Sequence, residues 1–134
     1  MAPAADKVGE TPNREVTSVK AERPKFTKDP MYQMLRVDDT QGFNLKREQG
    51  GACDLRGVDL RGLDLRGLDA EGLDFSGSYF RDTDLRGIDF SGAVLEGCSF
   101  YGAKISGALF PPELTADEIR LSVELGTRVR YRRG

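Results

Sequence analysis

Histidine and tryptophan are absent from the 134 residues, and only two cysteines are present. Without histidine the commonest general base and the commonest metal ligand are missing, and two cysteines cannot complete a four-ligand zinc site. No apolar run approaches about 20 residues, so no segment reads as a membrane span. The opening stretch, MAPAADKVGETPNREV, has no apolar core, and a secretory signal is not expected. Twenty lysines and arginines stand against 22 acids, a net charge of −2 that argues against general nucleic-acid affinity. Hydrophobic residues make up 38% and charged residues 31%, which predicts that part of the chain stays unpacked. Glycine is the exception to this sparseness: there are 16, and they are not scattered.

From Cys53 the sequence falls into fives: CDLRG VDLRG LDLRG LDAEG LDFSG SYFRD TDLRG IDFSG AVLEG CSFYG AKISG ALFPP. Glycine closes ten of the twelve blocks, and the third position is Leu, Phe or Ile in all but the fourth, where Ala70 stands. The first position is small or aliphatic and the second is predominantly Asp. A fixed period over sixty residues is the signature of a repeat architecture. Five fits neither the helical period of 3.6 nor a plain strand at 2. It fits a short extended segment followed by a turn. Positions one and three then point inward, position two outward, and glycine eases the bend. Stacked turns of this kind predict an all-β solenoid, a β-helix.

These blocks resemble the pentapeptide-repeat family, whose pattern is roughly Ala-Asp/Asn-Leu-x-x. The resemblance covers residues 53–112 and implies a right-handed quadrilateral β-helix with one pentapeptide per side and twenty residues per coil. Twelve blocks make about three coils. The inner ladder is then Leu55, Leu60, Leu65, Ala70, Phe75, Phe80, Leu85, Phe90, Leu95, Phe100, Ile105 and Phe110. Block four reverses the usual sizes, with Leu68 at position one and Ala70 at position three, which keeps the cross-section filled. Cys53 and Cys98 both fall at inward positions, on different sides and about two coils apart. That separation, roughly 10 Å, exceeds the ~7 Å limit for a disulfide.

Small helical caps are expected at both ends, since a solenoid otherwise exposes its core. Residues 29–52 read as an N-terminal cap. Asp29-Pro30 starts one helix, and a second begins near Asp39 or Thr40, buries Phe43 and ends at Gly50-Gly51. Residues 113–134 hold a C-terminal helix with a capping box from Thr115 to Glu118, a hydrophobic staple from Leu114 to Ile119 and a stop at Gly126. Ile119, Leu121, Val123 and Leu125 are its residues to bury. This helix closes the last coil or, as the alternative, dimerises the chain, as the ends of some family members do. Residues 1–28 read as a disordered tail.

Three groups stand out as candidate sites. Arg61, Tyr79, Arg81 and Tyr101 share one side and form a candidate partner-contact face, since Arg and Tyr are enriched in binding hot spots. Asp69, Glu71 and Asp89 form an acidic column. Arg128, Arg130, Arg132 and Arg133 form a basic tail, which phosphate or acidic-partner contact and plain solubility explain equally well. No catalytic, metal or cofactor site is expected: the carboxylates sit on convex, solvated faces, and no nucleophile–base pair can be built. The expected function is therefore a non-catalytic interaction or scaffold module of a bacterial cytoplasm, with a protein partner. The alternative implied by the resemblance is a DNA mimic that modulates a type II topoisomerase (gyrase). Against the alternative, the repeats mix ten acids with six basic residues.

Overall fold

The computed structural model describes residues 23–133. Isolated parallel bridges join residues twenty apart: Asp59 to Tyr79 to Ser99, Asp64 to Asp84 to Lys104, Asp74 to Val94, and Asp89 to Leu109. The chain thus returns to the same place every four blocks, and the bridges fall in four columns. Among the described residues the pairing never extends into a ladder. Each extended stretch is cut by a turn after about three residues, too short for two consecutive bridges to one neighbour.

Burial follows the alternation. Leu60, Leu65, Phe75, Phe80, Leu85, Phe90, Leu95 and Phe100 are fully enclosed, and Val58, Leu63, Leu68, Leu73, Ile88 and Ala93 are buried beside them. Ala70 is buried with Leu68, as the size reversal requires. Phenylalanines one coil apart stack on each other, Phe80 on Phe100 at 5.3 Å between centroids and Phe90 on Phe110 at 6.0 Å. Glycine at the block ends answers a real demand. Gly97 has φ 81°, and a Cβ there would lie 3.4 Å from the backbone of Gly77 one coil below. Asp82 takes the corresponding place in block six at φ 56°, a conformation that Asp tolerates better than most residues.

Within the stack, the position-two amide donates to a position-one carbonyl of the coil before, as from Tyr79 to Val58, Asp84 to Leu63 and Val94 to Leu73. The first coil has no coil before it, and the N-terminal cap supplies substitutes. Asp54 N–H donates to Asp29 Oδ2, Asp59 to the carbonyl of Lys25, Asp64 to Asp38 Oδ1 and Asp69 to Asn44 Oδ1. Four amides receive four acceptors. Two helices carry most of this cap. α1 spans Pro30–Arg36 with Asp29 as its N-cap, and α2 spans Thr40–Glu48 with Asp39 as its N-cap. They enclose Tyr32, Leu35 and Phe43, and the Tyr32 hydroxyl donates to the Asp59 carbonyl at 2.7 Å. Of the segment expected to be a disordered tail, residues 1–22 lie outside the described residues. Residues 23–28 are described, and Lys25 pairs in parallel with Val58.

The other end is closed by α3, Ala116–Leu125, and the strap that follows it. Gly126 ends the helix at φ 80°. Only half of the expected capping box forms. Thr115 Oγ1 accepts from the Glu118 amide, but the Glu118 carboxylate turns to Arg130 instead of returning to Thr115. The fully buried residue of α3 is Ser122, whose Oγ accepts the Phe100 amide at 2.8 Å, while Ile119 and Val123 are half-buried against the core. Leu125 is 69% exposed. The helix lies along a coil edge whose amides need acceptors, and a serine meets that need where leucine cannot. Cys98 is buried, Cys53 half-buried, and both are free thiols.

Candidate functional site

An arginine at position four of a block lies two residues after position two, on the same outward side. Where position two is Asp, the carboxylate clasps the guanidinium. Arg56 meets Asp54 at 3.1 Å, Arg61 meets Asp59 at 2.8 Å, Arg66 meets Asp64 at 2.8 Å and Arg86 meets Asp84 at 2.7 Å. Arg66 also reaches Asp84 across the coil boundary at 3.4 Å. The hydrogen bond from Arg86, with the charge of Arg66 behind it, holds the Asp84 carboxyl far below the usual range. The Arg56–Asp54 and Arg66–Asp64 pairs are exposed on both sides and such pairs add little stability, whereas the Asp59 carboxylate is buried.

Block six, SYFRD, departs from the pattern because Tyr79 replaces the aspartate. Among the described residues Arg81 has no carboxylate within ion-pair distance. Its guanidinium lies over the Tyr101 ring at 4.9 Å and near the Tyr79 ring at 5.8 Å. The expected contact face is therefore only partly one unit. The structure brings Tyr79, Arg81 and Tyr101 together, whereas Arg61, one coil lower, is occupied by the buried carboxylate of Asp59.

The strap after α3 lies on this same side. Ser99 pairs antiparallel with Arg128, and its Oγ donates to the Gly126 carbonyl. Arg128 donates from Nη1 to the carbonyls of Gly77 and Gly97 at 3.0 and 2.7 Å, and its guanidinium lies over Tyr79 at 5.0 Å. A cleft of about 340 Å³ remains between strap and repeats, lined by Tyr79, Arg81, Ser99, Tyr101, Glu124 and Leu125.

The basic tail is folded back rather than free. Arg130 pairs with Glu118 at 2.8 Å, Arg133 with Glu96 at 2.6 Å, and the Arg132 amide donates to the Glu113 carbonyl. Carboxylates of α3 and the repeats hold the Arg130 and Arg133 side chains, coil-edge carbonyls hold Arg128, and Arg132 is tied down through its backbone amide. The acidic column is exposed. The Asp69 carboxylate accepts from the Glu71 amide, and Asp89 accepts from the Ser91 amide and hydroxyl, which holds Asp89 below its ordinary value. A second cleft, about 620 Å³, lies at the N-terminal end beside Arg47, Cys53 and Asp74. No group of three or more acidic or cysteine side chains among the described residues is arranged to hold a metal ion.

Sequence reasoning placed Tyr79, Arg81 and Tyr101 on one side but missed the strap. The replacement of Asp by Tyr79 was its one visible signal. Arg128, 47 positions further along the chain than Arg81, carries no periodicity that would place it there.

A family model described as pentapeptide repeats matches residues 52–82 and 74–110, in eight copies. No curated protein and no solved structure matches the chain.

Proposed function

We propose, for a chain whose residues 52–110 belong to the pentapeptide repeats, a non-catalytic interaction module that engages a protein partner through Tyr79, Arg81 and Tyr101. In this reading the stacked coils are a right-handed quadrilateral β-helix, as the family implies, and the rigid rod serves to present a face. Arg81 carries the proposal. Every other arginine of the repeats is matched by its own aspartate, while Arg81 is held between two tyrosine rings with its charge unmatched among the described residues. Tyr and Arg in a partly desolvated cluster are the residue types that dominate binding energy at interfaces. Among the described residues no helix is long and apolar enough to cross a membrane. A cytoplasmic setting and a homodimer through the C-terminal helix α3 belong to the same proposal.

Affinity capture tests it, with the full chain and Arg81→Glu as baits. A protein retained by the first and lost from the second supports the reading. Equal retention, or none on either bait, overturns it. A third bait should begin at Arg23 rather than Asp29, because Lys25 pairs with Val58 and a deeper cut would disturb the first coil. The topoisomerase alternative rests on the acidic column of Asp69, Glu71 and Asp89. It is disfavoured by the arginines clasped along neighbouring columns, which break up any continuous negative surface. Inhibition in a gyrase supercoiling assay would restore it.

A further inference from the structure

Among the described residues, Arg81 is fixed by ring contacts but meets no hydrogen-bond acceptor or carboxylate. An arginine fork has five N–H donors, and at Arg56, Arg66 and Arg86 two of them are taken by the aspartate two residues earlier. At Arg81 the ring contacts orient the plane of the guanidinium but accept no hydrogen bond in that plane. The side chain is thus pre-organised, which removes much of the ordering cost that a free surface arginine meets on binding. Within the same cleft of about 340 Å³ lie an acid and an apolar group, Glu124 and Leu125. Leu125 is the most exposed leucine of the described residues at 69%, and Tyr101 beside it is 40% exposed.

We propose that this cleft receives the C-terminal carboxylate of a protein chain ending in an apolar residue. Arg81 takes the carboxylate through two parallel N–H donors, and Leu125 with Tyr101 covers the last side chain. The proposal rests on the reading that this face engages a protein, and it names which part of that protein is held. Three features favour a carboxylate. A single planar guanidinium fork lining the cleft suits the planar, two-oxygen face of a carboxylate. Glu124 in the cleft lining repels a phosphate dianion about twice as strongly as a carboxylate. The apolar wall stands beside the fork, so charge and side chain of one terminal residue meet both at once. The volume is at the small end of ligand clefts, enough for the last one or two residues of a peptide.

The test follows the Arg Nε–H signals of the full, isotope-labelled chain by NMR while acetyl-Ala-Ala-Leu with a free carboxylate is added. The expected result is a saturable shift of Arg81, with Arg56, Arg66 and Arg86 unmoved. The same peptide amidated at its C-terminus should move nothing. An amidated peptide with an internal glutamate should bind more weakly, because its carboxylate and apolar side chain sit on different residues. Arg81→Gln should weaken binding about tenfold or more while the backbone spectrum stays that of the folded protein. Leu125→Ala should weaken it with Arg81 intact. No shift at Arg81, an equal shift with the amidated peptide, or inorganic phosphate moving Arg81 at lower concentration than the peptide overturns the proposal. If Arg81→Glu loses a captured partner but the free peptide leaves Arg81 unmoved, the face reading stands and the terminal carboxylate falls.

Discussion

At the scale of single residues, the small polar side chains at position one solve a specific hydrogen-bond problem. From Leu65 onward each turn is closed by a bond from a position-one amide to the position-three carbonyl before it, as from Leu68 to Leu65 or Ile88 to Leu85. That bond is missing at the first two turns. There the hydroxyls of Ser78 and Thr83, one coil above, donate to the carbonyls of Leu55 and Leu60 at 2.5 and 2.6 Å. Cys98 repeats the geometry toward Phe75, whose carbonyl already accepts the Ser78 amide. Thr83→Val keeps the volume and leaves the Leu60 carbonyl unpaired in the core. It should cost about 1–3 kcal/mol in urea unfolding. A Thr83→Val variant as urea-resistant as the parent would mean that the hydroxyl bond contributes nothing. Ala70 is the other telling residue. Beside the buried Leu68, a leucine at position 70 has no room, so Ala70→Leu should lose about 1–3 kcal/mol by overpacking. A variant as urea-resistant as the parent would show that block four does not fill the section as argued. The alternation of fives was enough to assign both residues inward. The hydroxyl acceptors were not legible, because they lie 23 residues away across a coil boundary that no local pattern marks.

At the scale of elements, the caps were legible where they obey local rules and obscure where they serve the coil edge. Asp29, Asp39, Thr115 and Gly126 occupy the helix ends that their chemistry suggests. Asp38 and Asn44, by contrast, act as substitutes for a missing coil, a role set by position in space. Glu118 is the clearest divergence, since it ties α3 to the strap through Arg130 instead of completing its box. That bond has a pH signature. The Arg130 guanidinium, and then its backbone amide, hold the Glu118 carboxyl below its ordinary value of 4.5. A carboxylate depressed on folding adds stability that is present above its ordinary value and lost as pH falls through the folded-state value. The Asp54, Asp64, Asp84 and Asp89 carboxyls are depressed likewise, each mainly by a side-chain hydrogen bond. The urea midpoint should therefore vary little from neutrality down to about pH 5 and fall steadily below it. Arg130→Ala should lower the midpoint at neutral pH. Its gap from the parent should close as the solution is acidified below 4.5. A gap that stays constant with pH would remove the ion pair as its cause.

At the scale of the whole molecule, the two ends are not capped alike, and this asymmetry should govern how the stack opens. The N-terminal cap supplies an acceptor to all four sides of the first coil. At the other end, Leu95 donates to the Tyr131 hydroxyl, Gly97 to Val129, Phe100 to Ser122 and Gly102 to Val123. Those bonds serve two sides of the last coil. On the remaining two, the amides of Ile105, Gly107 and Phe110 have no acceptor among the described residues. Ile105 and Phe110 are only half-buried there, and Leu109 is 58% exposed. In a stack whose coils touch only their neighbours, opening starts where the last coil is least held and passes inward one coil at a time. Hydrogen exchange should thus divide the repeats by place in the stack rather than by residue type. Ile105, Gly107 and Phe110 should exchange first. Gly97 and Gly102 on the strapped sides should be slower, and Leu65, Phe75, Phe80 and Leu85 in the interior slowest of all. Removing the strap after Gly126 should bring Gly97 into the fast class without changing Leu65. Uniform protection of all four sides of the last coil would show that the stack opens as one unit and that the half-cap has no energetic consequence.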